Sequence, residues 1–69
     1  MIMLPHQQRV VDERNELLEK ATKLYDFMDD ENPVWGKIDS AEKERMTRQH
    51  GHMIKYAEVL DERIAAFTK

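Results

Sequence analysis

Arg45, Arg48 and Lys55, together with Trp35 and Tyr56, are the residues of this chain whose types suit ligand chemistry. Guanidinium and ammonium groups pair with phosphate oxygens through charge-assisted hydrogen bonds, and a guanidinium or an aromatic ring also stacks on flat rings. The set suits a phosphate-bearing ligand that carries a stackable base. The same cations also read as a solvated helix face, with Glu44 pairing to Arg48 four residues on, and exposed pairs of that kind contribute little. From sequence alone both readings stand.

His50-Gly51-His52 is the second candidate. On a helix, residues two apart point about 200° from each other, so these two imidazoles cannot chelate one ion from one helix. A partly buried His50 with a local partner is the plainer expectation, although symmetry would allow copies of one His to meet between subunits. Gly51 falls inside a helical stretch, where Gly costs roughly 1 kcal/mol relative to Ala. Close approach of a neighbouring helix or of a ligand would offset that cost; a tolerated weak spot is the alternative.

No arrangement for catalysis is visible. There is no Glu-x-x-His di-iron pattern, Gly-rich phosphate loop, nucleophile elbow or Cys–His pair. Ser40, the single serine, is better placed as a helix-start residue. A hairpin offers no deep pocket except between subunits. The expectation is a non-enzyme with no cofactor and no metal.

Two amphipathic stretches must position these residues. The spacing predicts helix one over about 5–28, a loop over about 29–38 and helix two over about 39–67, a single domain spanning 1–69. Pro5 suits a first helical turn. Val10, Arg14, Leu17, Ala21, Leu24 and Met28 then alternate steps of four and three, and Val11, Leu18 and Tyr25 form a flanking row that widens the stripe. Glu16–Lys20 and Glu19–Lys23 lie on the opposite face in the favourable order. Asn32-Pro33 ends this helix, because proline biases the preceding residue away from helical angles. Apolar Val34, Trp35 and Ile38 predict a loop that folds back over the hairpin end.

Asp39 with Glu42 three residues later predicts the next helix start. Its seam reads Met46, His50, Met53, Ala57, Leu60, Ile64 and Phe67. An antiparallel pair turning at the loop would set Leu24 against His50, Ala21 against Met53, Leu17 against Ala57 and Val10 against Ile64. Small then opposes large twice, as interdigitation requires.

At 69 residues, with no Cys, the chain has neither disulfides nor thiolate zinc sites to supplement a small core. Self-association is the remaining route, and the row Val11, Leu18, Tyr25 with Gly51 is the expected interface. Charged residues make up 36% of the chain with a net charge of −3, both signs interspersed, which argues against general nucleic-acid or acidic-membrane binding. The apolar start Met1-Ile2-Met3-Leu4 is too short for a signal peptide, and no apolar run approaches the roughly 20 residues of a membrane span. Cytoplasmic residence is expected.

Arg9-Val10-Val11-Asp12-Glu13, Glu16-Leu17 and Lys20, then Met53, Tyr56, Leu60, Glu62-Arg63-Ile64 and Phe67, resemble very small helical-hairpin proteins of tailed phages and prophages. More loosely, the chain resembles the hairpin domain of phage anti-CBASS and Thoeris anti-defence sponges. That resemblance implies an oligomer that sequesters a cyclic-nucleotide or ADP-ribose-derived immune signal without cleaving it. No binding residue is carried over from those sponges. The sequence therefore predicts an all-α antiparallel two-helix hairpin that assembles into an oligomeric helical bundle. Its function is sequestration of a host nucleotide signal, or else assembly with itself or a host protein through its apolar faces.

Overall fold

The computed structural model describes residues 3–67; Met1 and Ile2, half of the expected apolar start, lie outside them. Helix α1 runs Pro5–Phe27, a single turn α2 runs Pro33–Gly36, and α3 runs Ser40–Ala66. The long helices lie side by side in a rod of 48 × 16 × 15 Å. Both helix bounds fall within a residue or two of the sequence expectation, and α2 is the addition.

Each helix starts for a local reason. Pro5 occupies the first position of α1, where its missing N–H costs nothing, and the Leu4 N–H donates to Gln7 Oε1 at 3.0 Å. At α3, Asp39 Oδ1 accepts from the Glu42 N–H at 3.1 Å. The Glu42 carboxylate does not return the bond and instead accepts from Arg45 Nε at 2.8 Å. Only half of the expected capping box is therefore made.

The seam is as the heptad-like spacing predicts. Val10, Ala21, Ala57 and Leu60 are buried, and every other expected seam position, Arg14 and His50 included, is half-buried. Three cross-helix contacts fix the register. Arg14 Nε donates to Asp61 Oδ1 at 2.7 Å, the Tyr25 and His50 rings lie 5.5 Å apart, and Thr47 Oγ1 sits 3.9 Å from the Met28 sulfur. In all three the two residue numbers add to 75, as an antiparallel pair in constant register requires. The expected pairs, from Leu24–His50 to Val10–Ile64, are one residue from that register.

The turn is built around Trp35, which is 8% exposed. Phe27 meets its ring edge-on at 6.2 Å, and Lys43 Nζ lies 5.2 Å from the ring centre. Asn32 ties the same place together: its amide donates to the Phe27 carbonyl at 3.0 Å and its oxygen caps α2 through the Val34 N–H at 3.0 Å. Trp35 and half-buried Ile38 close the hairpin end as expected, whereas Val34 points to solvent.

Leu60, at 1% exposure, is the largest fully buried side chain. Leu60→Ala should cost about 2–5 kcal/mol, comparable to the whole net stability of about 3–5 kcal/mol that such a core provides. Arg14→Ala should cost less than about 1 kcal/mol, because its ion pair is exposed on both sides. Thermal melts followed by circular dichroism should show Leu60→Ala largely unfolded at room temperature and Arg14→Ala nearly unchanged; the reverse order would refute this account of the core.

Candidate functional site

Once α1 covers one side of α3, the seam's flank is left open. A shallow groove of about 370 Å³ runs along that flank, lined by Arg45, Arg48, Gln49, His52, Met53 and Tyr56. These positions repeat every three or four residues, which places them on one helical face roughly 90° around from the Ala57–Leu60 seam. Met53 belongs to both faces and forms the apolar floor. Tyr56 is 47% exposed, so its ring is available at the surface.

The groove's two guanidiniums each have one exposed carboxylate partner, close for Arg45 and loose for Arg48. Arg45 is held by Glu42, and Arg48 reaches Glu44 at 3.7 Å. The hydrogen bond that Arg45 donates to Glu42, reinforced by the carboxylate's charge, raises the Arg45 pKa above the ordinary value. All four groups are solvent-exposed, and pairs of this kind exchange partners at little cost. A phosphate that accepts from both arginines would replace two separate, solvent-exposed carboxylate contacts with charge-assisted bonds to one ligand.

Three of the five binding residues expected from sequence, Arg45, Arg48 and Tyr56, are thus brought together. The other two are not. Trp35 is buried as the wedge of the turn, with Phe27 and Lys43 against its ring, so it is unavailable as a stacking platform; this corrects the expectation. Lys55 lies about 100° from Tyr56 although only about 20° from Arg48, and it does not line the groove. Gln49, His52 and Met53 were missed. Steps of three and four from Arg45 and Tyr56 would have found them once the α1-facing seam had been drawn.

The expected interface residues are split. Val11 and Leu18 are half-buried, while Tyr25 is 65% exposed and meets His50 along one ring. That row lies on the edge of the hairpin away from the groove, since Tyr25 meets His50, which is on the opposite flank of the α3 seam from the groove residues. At Gly51 no neighbouring helix approaches: a Cβ built there meets nothing within 4 Å. Close helix contact within the chain is therefore not the reason for this glycine.

A second depression, of about 320 Å³, is lined by Tyr25, Met28, Asp29 and Asp30 at the hairpin turn. Its carboxylates disfavour an anionic ligand, so the two depressions differ in charge as well as place. Among the described residues, no group of three or more His, Asp or Glu side chains is placed to hold a metal, and no helix is long and apolar enough to cross a membrane.

The hairpin with an open cationic–aromatic flank defines a small helical binding protein. The chain matches the family model described as Sequestin over residues 4–66, and it belongs to the Sequestin family. Membership makes it a sequestering binding protein. No curated protein and no solved structure matches it.

Open space at Gly51 has a measurable consequence. Gly51→Ala should stabilise α3 by up to about 1 kcal/mol, a rise in Tm of about 4–8 °C for a domain of this size. A fall in Tm would show that something outside the chain packs on Gly51.

Proposed function

We propose that this protein sequesters a phosphate-bearing nucleotide signal of host immunity and releases it unaltered. The observation that carries this reading is the convergence of Arg45, Arg48, His52 and Tyr56 on one groove with an apolar floor. Arg45 and Arg48 neutralise phosphate oxygens, Tyr56 stacks on a base over Met53, and His52 and Gln49 offer donors to the ligand's polar edges. Nothing in the groove serves as an activated nucleophile, which accords with retention rather than turnover. In this reading the protein is a phage-type anti-defence sponge acting in the host cytoplasm as a homo-oligomer, and the ligand is a cyclic nucleotide or an ADP-ribose derivative.

A second reading is an assembly module that binds itself or a host protein through an apolar face. Exposed Tyr25, continuing the half-buried row of Val11 and Leu18, favours it.

Calorimetry against cyclic di- and trinucleotides and cyclic ADP-ribose isomers separates the two. Sequestration predicts heat from at least one of them. It also predicts about 10- to 100-fold weaker binding for Arg48→Glu, from loss of charge-assisted bonds worth about 1.5–3 kcal/mol each. Helical circular dichroism should be unchanged in the variant. Silence from the whole panel would leave the assembly reading in possession, and full binding by Arg48→Glu would move the site off this face.

A further inference from the structure

A ligand lying on this groove meets one wall. All six lining residues come from α3, and α1 contributes none. Small-molecule sites cover roughly 70–90% of the ligand surface, and a rod two helices thick has no further element among the described residues to supply the missing wall. The groove is half of a site.

The geometry points to a second copy of this chain as the other half: two α3 flanks pack antiparallel about a two-fold axis at His52, so that Arg45 and Arg48 of one copy and the partner's Tyr56 form opposite walls of one cleft. This rests on the sequestration reading above. Three observations argue for a second copy. First, the flank residues Arg45, Arg48, His52, Tyr56 and Val59 are spaced three, four, four and three apart, and that spacing reads the same in both directions. An isologous contact needs such a self-complementary row. Second, the charges fit. With the axis at His52, Arg48 faces the partner's Tyr56, Arg45 faces the partner's Val59, and Arg63 falls beside the partner's Glu42, so no arginine opposes another. An axis two residues further on would set Arg45 against the partner's Arg63. Third, the stripe continues beyond the groove into Val59, a large apolar residue left 52% exposed. From Arg45 to Val59 it spans about 21 Å at 1.5 Å per residue, about half the length of α3.

The two-fold generates two equivalent clefts, one on each side of the His52 pair. Each takes the base between Arg48 of one copy and the partner's Tyr56, with phosphates toward the clustered guanidiniums. Because each cleft is complete only when two copies meet, ligand binding and pairing reinforce each other.

Two measurements test this. The chain has no Cys, so single cysteines report pairing cleanly. A short bis-maleimide should link His52→Cys into a species of twice the 8.2 kDa chain mass, and should leave Glu58→Cys, about 120° away on α3, as single chains. Equal or weaker linking of His52→Cys would overturn the proposed face. The second measurement is complementation, read by calorimetry with whichever cyclic nucleotide or cyclic ADP-ribose isomer the wild type binds. Arg48→Glu and Tyr56→Ala should each lose binding alone. An equimolar mixture, allowed to exchange, should regain about a quarter of the wild-type sites, since half of the randomly formed dimers carry one intact cleft of two. Wild-type binding without recovery on mixing would overturn the shared cleft while leaving sequestration standing. A wild type that binds no member of the panel would overturn sequestration, and the shared cleft with it.

Discussion

Everything in this molecule follows from its having two long helices and no third. Each helix covers one side of the other, and among the described residues the buried side chains number five: Val10, Ala21, Trp35, Ala57 and Leu60. Two of these are alanines, which let the helix axes approach but bury little area themselves. The core is thus a narrow seam, and the flanks on either side of it stay open. In a larger domain Tyr56 and Val59 would lie against a neighbouring element; here they are at the surface beside Arg45 and Arg48.

Within that constraint, polar contacts set geometry more than stability. The Arg14–Asp61 pair, exposed on both sides, adds little free energy but holds the register in which His50 meets Tyr25. Trp35 does the corresponding work at the turn, where Phe27, Asn32 and Lys43 gather around one short segment. The register decides which edge of α3 is covered, and that decides which of its polar residues share the open groove. The fold thereby leaves a particular helix edge uncovered.

Helix limits, the seam and the antiparallel register were legible in the sequence because they depend on period and on turn residues, and both are local signals. Asn32-Pro33 marked the stop and Asp39 the restart. The one-turn helix α2 was not legible, because its cap, Asn32, serves at once as the end of α1 and the start of α2. Half of the groove's lining was legible. Residue chemistry singled out Arg45, Arg48 and Tyr56, but treated every aromatic near a cation as an available ring. Trp35 has a cation over it because it is buried against Lys43, which is a packing role. Gly51 illustrates a related limit of local signals: the energetic cost of a helical glycine is visible in sequence, but that nothing in the chain packs on it is a tertiary fact.

The central claim is that the open flank of α3, and no other surface, receives an anionic nucleotide. Backbone amide NMR of the folded protein, titrated with a cyclic dinucleotide or a cyclic ADP-ribose isomer, tests it residue by residue. The account predicts shifts concentrated at Arg45, Arg48, Gln49, His52 and Tyr56, with the single Trp35 indole and the acidic turn at Asp29 and Asp30 unmoved. Shifts centred on Trp35 or that turn, with the α3 flank silent, would contradict it.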